Sequence, residues 1–278
     1  MEETDVAYVA GFMDAEGCIC IVKAKTRYFL KVVVANTNSG ALRRVQEVMN
    51  RNVSMYKDNR KRHSQLFYLA VYGKSAKSFL ERIMPYLRVK KTQALLAVDF
   101  QSKVQNKPKL PIYVQDNYRE QVSLLKHRPY SVNDKKFGIY VEPAKDIDFP
   151  YISGFFDGEG CIRISNRKGV YRFKVNIINT NLDVLKKIQE IAGGSLYKYP
   201  IYNTNYLQVF SLDLYCNIAK RFLEGIRPYL IIKREQAQLA LEFQDRKRNG
   251  LLTIPKDEQE SYRFRINSFN SGKGKRKS

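Results

Sequence analysis

Histidine and cysteine are scarce in this chain of 278 residues, which contains two His and four Cys. The cysteines show no C-x-x-C spacing, which favours a reducing compartment over a disulfide framework. With only His63 and His127 available, we expect neither a structural zinc site nor a nuclease that depends on a histidine cluster.

The chain also has few long apolar runs, and its first residues do not resemble a secretion signal. No stretch approaches the roughly 18 uninterrupted apolar residues that a membrane-spanning helix needs. The acidic start Met1-Glu2-Glu3 differs from the basic n-region of a secretory signal. We therefore expect an intracellular protein that is not secreted and has no membrane partner.

Acidic residues are outnumbered by basic ones. The chain has 49 Lys and Arg against 27 Asp and Glu, which gives a net charge of +22. Because this charge recurs along the whole chain, it indicates a nucleic acid as the partner more than a membrane surface. A hydrophobic content of 44% is enough to form a core, and the length suits one large domain or two ordinary ones.

The chain repeats itself at an offset of 143 residues. Residues 5–21 (DVAYVAGFMDAEGCICI) recur as residues 148–164 (DFPYISGFFDGEGCIRI), and residues 81–101 recur as residues 224–244 without a gap. The protein is therefore interpreted as a tandem duplication whose copies have diverged.

This duplication predicts the domain organisation. We expect an N-terminal repeat over residues 1–128, an interdomain linker over 129–147 and a C-terminal repeat over 148–270. Residues 271–278 contain no apolar side chain and are expected to form a disordered basic tail.

Each repeat predicts a helix, two strands, a helix, two strands and a helix, which is an α+β fold. In the first repeat, the later elements are expected at 42–49 (helix), 53–59 and 65–72 (strands), and 75–84 and 90–101 (helices). In the second repeat, they are expected at 185–191, 196–202, 207–214, 217–227 and 233–244. Apolar residues alternate with polar ones along the strands, so helices should cover one sheet face and leave the other to a partner.

Small residues interrupt the first, apolar helix of each repeat, as Ala10-Gly11 and Ser153-Gly154. A glycine inside a helix costs about 1 kcal/mol relative to alanine, so it needs a reason. Close approach of two backbones supplies one, and the equivalent helix of the other repeat is the obvious partner. We expect these helices to pack side by side around a pseudo-twofold axis.

Both of these helices end in acidic residues, Asp14-Ala15-Glu16-Gly17 and Asp157-Gly158-Glu159-Gly160. A carboxylate opposes the macrodipole at a helix C-terminus, where cations are favoured by about 0.3–1 kcal/mol. Convergent carboxylates are reasonable if divalent cations lie between them, and oxygen ligands without histidine favour Mg²⁺. On a basic scaffold this suggests phosphodiester hydrolysis. Acids that only form turns or caps are the alternative, which the recurrence disfavours.

At these residues the sequence resembles the LAGLIDADG family of homing endonucleases. VAGFMDAEG (residues 9–17) and ISGFFDGEG (residues 152–160) match the family motif. The resemblance covers residues 5–128 and 148–270, and the chain is similar to the single-chain, two-motif members. It implies two pseudo-twofold-related αββαββα halves whose antiparallel sheets form a DNA-binding saddle.

The resemblance also implies roles for individual residues. Glu16 and Glu159 would bind the catalytic metals, with Ala15 and Gly158 at the same metal sites. The implied cofactor is Mg²⁺, as two or more divalent ions shared between the acidic sites, with Mn²⁺ as a substitute. Asp14 and Asp157 are assigned mainly to holding the helix end and turn.

Two further pairs of catalytic residues follow from the resemblance. Lys90 in PYLRVK and Lys233 in PYLIIK match the family's outer-shell lysine. A solvated cation is the alternative, but helix N-termini repel cations, so a phosphate or a metal-bound water explains them better. Asn38 and Asn181 match a polar residue at the end of the second strand that could order water, and the neighbouring threonines are alternatives.

Candidate DNA-binding residues lie on the predicted hairpins. In the second repeat they are Arg163, Ser165, Arg167, Arg172, Lys174 and Asn176, and in the first they are Lys23, Lys25, Arg27 and Lys31. Arginine pairs with guanine and asparagine with adenine in the major groove. The corresponding strand face of the first repeat is less polar than the cationic face of the second. We therefore expect the two halves of the DNA target to differ in sequence.

Together these observations predict a monomeric, Mg²⁺-dependent endonuclease that cuts both strands of a long asymmetric DNA target. The resemblance adds short 3′ overhangs, intron mobility, and a bacterial, phage-infected or organellar compartment. The alternative is an RNA intron maturase, with intron RNA as partner, or a DNA-binding regulator that does not cleave. Intact acids in both repeats favour the endonuclease.

Overall fold

The computed structural model describes residues 2–25, 27–49, 53–58, 65–105, 110–126, 142, 145, 149–200, 207–248 and 254–270. The predicted tail lies outside these residues, as does the predicted linker apart from Glu142 and Lys145. The chain divides into two compact units, Met1–Phe155 and Phe156–Ser278.

The first repeat contains five helices and four strands among its described residues. These are α1 (Glu3–Glu16), β1 (Gly17–Ala24), β2 (Arg27–Asn36), α2 (Ser39–Met49), β3 (Met55–Asp58), β4 (Leu66–Tyr72), α3 (Gly73–Ile83), α4 (Lys91–Gln105) and α5 (Ile112–Leu124).

The second repeat has the same element order over its described residues. Its elements are α6 (Phe149–Glu159), β5 (Gly160–Arg167), β6 (Val170–Asn179), α7 (Leu182–Ala192), β7 (Ser195–Lys198), β8 (Phe210–Tyr215), α8 (Cys216–Ile226), α9 (Arg234–Arg248) and α10 (Lys256–Asn270). The prediction of a duplicated α+β fold is confirmed.

Each repeat forms a four-stranded antiparallel sheet, in the order β1-β2-β4-β3 in the first and β5-β6-β8-β7 in the second. Alternation along β2 buries Leu30, Val32 and Val34, and alternation along β6 buries Phe173 and Val175. Because successive side chains point to opposite faces, one face of each sheet packs under helices and the other stays open.

Two helices, α5 and α10, were not predicted. They pack against β1 and β5, the first strands of their sheets. A buried glutamine secures each one: the Gln93 side chain donates to the carbonyl oxygens of Ile19 (3.1 Å) and Val122 (3.0 Å). In the second repeat, Gln236 donates in the same way to the carbonyl oxygens of Ile162 (3.0 Å) and, in α10, Ile266 (2.9 Å). None of the helices in the described part of the chain is long and apolar enough to cross a membrane.

Candidate active site and nucleic-acid interface

The small residues of α1 lie directly against the start of α6, within the first compact unit. A methyl group placed on Gly11 would collide with the Tyr151 carbonyl oxygen and lie 2.9 Å from the Phe155 nitrogen. A methyl group on Gly154 would collide with the Tyr8 carbonyl oxygen. The two glycines therefore allow direct backbone contact between the helices.

The residues beside these glycines are enclosed as well. Ala10 and Ser153 are fully buried, and the Ser153 hydroxyl donates to the Phe149 carbonyl oxygen at 2.6 Å. This contact satisfies the hydroxyl inside its own helix, so a polar side chain is accommodated at the packed surface. The early part of α6 thus belongs to the first compact unit, which ends at Phe155.

Asp14, near the end of α1, is a buried hydrogen-bond acceptor. Its carboxylate accepts from the backbone N–H groups of Arg88 (2.7 Å), Val89 (3.1 Å) and Lys90 (2.8 Å). The Tyr151 hydroxyl donates to it at 2.8 Å. Burial, with the charge of Asp14, raises the pKa of Tyr151 well above its usual value. Asp14 therefore ties the acidic end of α1 to the turn that precedes α4.

Asp157 makes the same arrangement in the second repeat. It accepts from the backbone N–H groups of Ile231 (2.8 Å), Ile232 (3.0 Å) and Lys233 (2.9 Å). Only 2% of Asp157 is exposed, so it holds the turn and is shielded from solvent. This is the role that the sequence predicts for both aspartates.

Lys90 and Lys233 lie beside the acidic helix ends of their own repeats. The Lys90 ammonium donates to the Asp14 carbonyl oxygen, and the Lys233 ammonium donates to the Asp157 carbonyl oxygen. The C-terminal carbonyls of a helix lack intrahelical partners and carry partial negative charge, so a cation is stabilised there. The fold thus places a lysine at each acidic end.

Glu16 and Glu159 differ from the aspartates in exposure. Glu16 is exposed and Glu159 is half-buried, as are Ala15 and Gly158. The Asn179 side-chain amide donates to Glu159 at 3.1 Å. Within the described residues, no three His, Cys, Asp or Glu side chains form a metal-binding cluster. Each helix end thus offers one accessible carboxylate and backbone carbonyls, an oxygen donor set that suits a hard cation.

The placement predicted for Asn38 and Asn181 was wrong. Their side-chain oxygens accept from the backbone N–H groups of Ala41 (3.1 Å) and Val184 (3.0 Å), at the starts of α2 and α7. Both residues follow the strand and cap a helix, because a short amide side chain satisfies an otherwise unpaired N–H group there. The amide beside the acid is Asn179, the last residue of β6.

The open face of the first sheet holds only part of the predicted cationic set. Arg27 and Lys31 share the open side of β2, and Lys25 lies in the hairpin turn at a φ of 54°. Lys23 pairs in register with buried Tyr28, and its ammonium lies 5.0 Å from the centre of that ring. Lys23 therefore lies near the hairpin turn on the helix side of the sheet, and its assignment as a DNA-binding residue stays a prediction.

Cys18 and Cys20 also lie on this open face, opposite in orientation to buried Ile19. The Cys20 thiol donates to the Lys31 carbonyl oxygen at 3.6 Å. Its interaction with Cys18 is the main reason that the pKa of the Cys18 thiol falls to about 5, and the charge of Lys126 acts in the same direction. The same interaction raises the pKa of Cys20.

The open face of the second sheet is strongly polar. Strand β5 contributes Arg163, Ser165 and Arg167, and β6 contributes Arg172, Lys174 and Asn176. Arg167 and Arg172 are exposed, and Arg163 and Ser165 are half-buried.

Asn176 is not an exposed member of this set. Only 1% of it is exposed, and its side-chain oxygen accepts from the Arg163 guanidinium at 3.2 Å. The register places Asn176 next to Asp213 on the central strand β8, where neighbouring side chains enclose it. Asn176 holds the Arg163 guanidinium through this hydrogen bond. Its burial corrects the assignment of Asn176 as an accessible base contact.

Two family models match this chain. A model described as "LAGLIDADG-like domain" matches residues 3–84, and one described as "LAGLIDADG endonuclease" matches residues 152–229. The "DNA endonuclease I-CvuI" of Chlorella vulgaris is 29% identical over an alignment of 115 residues that covers 38% of this chain and 68% of that protein.

Solved structures with the same fold align along nearly the whole chain. The LAGLIDADG homing endonuclease I-GzeII in complex with its DNA target has a TM-score of 0.66 at 15% identity, covering 95% of this chain and 97% of that one. I-SmaMI, bound to an uncleaved DNA target in the presence of calcium ions, has a TM-score of 0.64 at 15% identity, covering 94% and 98%.

The fold and the site define a duplicated α+β protein. In each repeat an acidic helix end binds a lysine and leads directly into an antiparallel sheet with one open face. With matching family models in both repeats, the chain belongs to the LAGLIDADG family, as a single-chain member with two motifs.

Proposed function

We propose that this protein is a site-specific homing endonuclease that hydrolyses both strands of a long, asymmetric double-stranded DNA target. One observation carries the proposal. In each repeat a buried aspartate fixes the turn before a lysine and leaves the glutamate two residues later accessible. Accessible carboxylates on a protein with a net charge of +22 are suited to phosphodiester chemistry.

The proposed cofactor is Mg²⁺, with Mn²⁺ as a substitute. Glu16 and Glu159 would hold it through their carboxylates, and Ala15 and Gly158 through backbone carbonyl oxygens. When bound, a divalent cation stabilises the charge that develops on phosphate oxygens and favours ionisation of water. The oxygen-only donor set supports a hard cation over zinc.

The protein's own groups would orient the reaction. Lys90 and Lys233 each bring a positive charge to the acidic helix end, where it can stabilise the phosphate in the transition state. The Asn179 amide restricts the orientation of the Glu159 carboxylate through its hydrogen bond. Arg167 and Arg172, exposed on the open sheet face, are suited to phosphates or guanine edges.

The proposal includes the finer features that the family resemblance implies. Both motifs lie on one chain, so we expect the protein to act as a monomer. Cleavage would leave short 3′ overhangs and promote mobility of the intron that encodes the protein. Because the polar side chains on the two open faces differ, the half-sites should differ in sequence.

A selection followed by cleavage tests the proposal. The full chain is first used to select duplexes from a randomised DNA library in Ca²⁺, and the selected duplex is then incubated in Mg²⁺. We expect double-strand scission by the unmodified protein and none by the Glu16→Gln/Glu159→Gln double variant, which should still bind in Ca²⁺. Strong selection without scission in Mg²⁺ or Mn²⁺ would contradict the proposal and favour the non-cleaving regulator or the maturase.

A further inference from the structure

A carboxylate lies among the basic residues of the second sheet's open face. Asp213 is on the central strand β8, in register with Asn176 of β6. It forms an ion pair with Lys174, in which 17% of the lysine side chain and 8% of the aspartate side chain are exposed. A negative charge on a surface that would face phosphates opposes non-specific binding, so its presence calls for an explanation.

Neighbouring side chains hold Asp213 in one orientation. The Ser211 hydroxyl donates to one carboxylate oxygen at 2.7 Å, and the Tyr215 hydroxyl donates to the other at 3.3 Å. The Lys174 ammonium donates to that second oxygen and lies 5.3 Å from the centre of the Tyr215 ring. The lysine, which is normally flexible, is thus fixed by a carboxylate and an aromatic ring.

The first repeat lacks the carboxylate at the equivalent place. Lys31 corresponds to Lys174 at the repeat offset, and Tyr72 corresponds to Tyr215. The Lys31 ammonium lies 5.6 Å from the centre of the Tyr72 ring, so the cation and ring recur. The residue at the position of Asp213 is Ala70, which cannot accept a hydrogen bond through its side chain. The two repeats thus offer the same lysine with and without its acidic partner.

A lysine ammonium held in one orientation on the open sheet face matches a particular base edge in the DNA major groove. Guanine presents the O6 and N7 acceptors there, and the paired cytosine presents its N4 amino donor. An ammonium has three N–H donors, so Lys174 can contact guanine while it remains bonded to Asp213. Only 8% of the Asp213 side chain is exposed and both of its oxygens already accept hydrogen bonds, so the carboxylate acts through Lys174 by holding the ammonium in one orientation. The ammonium favours the two guanine acceptors over an adenine edge, which presents an amino donor beside N7.

We infer that Lys174, positioned by Asp213, specifies one G·C base pair in the half-site bound by the second sheet. This inference rests on the proposed function, because it assigns a base-reading task to the same DNA-binding surface. Lys31 gives weaker discrimination at the corresponding position of the other half-site, because Ala70 leaves its ammonium unrestricted by a carboxylate.

The test compares binding profiles of the full chain and its Asp213→Ala and Asp213→Asn variants, using the randomised duplex library in Ca²⁺. The unmodified protein should select G·C at one position about tenfold over A·T, and both variants should lose this preference there alone. In Asp213→Ala the released lysine can contact phosphate, so the slope of log K against log salt should steepen by about one. A purely structural role would lower the melting temperature and weaken selection at every position.

Ala70→Asp provides the matched control in the first repeat. It should sharpen selection for G·C at the corresponding position of the other half-site. An unchanged profile in Asp213→Ala, or in a folded Ala70→Asp variant, would overturn the inference while leaving the endonuclease proposal intact. If the unmodified protein selected no sequence at all, the proposed function itself would fail, and this inference with it.

Discussion

Replacing Gly11 with alanine should destabilise the protein even though alanine is the better helix former. The helix preference favours alanine by about 1 kcal/mol. Against this, the added methyl group would collide with the Tyr151 carbonyl oxygen and lie 2.9 Å from the Phe155 nitrogen. Overpacking typically costs about 1–3 kcal/mol, and a backbone neighbour cannot rotate away as a side chain can. Because the helices must separate, we place the cost at the upper end of this range, about 3 kcal/mol, and expect a net loss of about 2 kcal/mol.

Thermal unfolding followed by circular dichroism measures this effect. At about 2–4 °C per kcal/mol for a protein of this size class, the melting temperature should fall by roughly 5 °C. Gly154→Ala should behave similarly, since its methyl group would lie 2.8 Å from the Phe12 nitrogen. Gly40→Ala, at an exposed position in the first turn of α2, is the control and should be neutral or slightly stabilising. A Gly11→Ala variant as stable as the unmodified protein would refute the packing argument.

Three further predictions follow from the site. Asp14→Asn should lower the free energy of unfolding by about 2 kcal/mol in urea titrations, since a buried charged acceptor is lost. Glu16→Gln, at an exposed position, should change this free energy by under about 0.5 kcal/mol. Equal effects of the two variants would contradict these roles. Asn181→Ala should lower the free energy of unfolding in urea by about 1 kcal/mol, because a helix cap is lost. Asn179→Ala should lower it less but slow DNA cleavage, because Asn179 donates to Glu159. Iodoacetamide should modify Cys18 at a rate that changes little from pH 6 to 8, because a pKa of about 5 makes Cys18 a thiolate throughout this range. Peptide mass mapping measures this rate, and a rate that rises steeply from pH 6 to 8 would contradict the prediction.

The helix-and-acid motifs were predictable because each depends on local sequence and occurs twice. The sequence predicts that the first helix ends at its acidic residues 14–17, and α1 ends at Glu16. The apolar helix interior predicted burial, and the mid-helix glycine predicted close approach. The role of Asp14 and Asp157 in holding a turn came from the family resemblance, because their hydrogen bonds reach turns 74–76 residues later that no local pattern indicates.

The missed elements depend on contacts between distant residues. Helix α5 buries Val122 alone among its residues, so its sequence shows little of the periodicity that identifies an amphipathic helix. The segment Asn179-Thr180-Asn181 contains two amides, and only the end of β6 decides which one meets the acid and which one caps α7. The position of Asp213 among the basic residues depends on the register of β6 with β8. A strand predicted over residues 207–214 does not define this register.

Strand-resolved cleavage by the two single variants tests the central claim most directly. Each strand of the selected duplex carries a different end label, and the unmodified protein, Glu16→Gln and Glu159→Gln are compared in Mg²⁺ after equal binding has been verified in Ca²⁺. We predict scission of both strands by the unmodified protein, and either nicking of one strand or no scission by each variant. Undiminished double-strand cutting by either variant would contradict the claim that both acidic helix ends carry out the reaction.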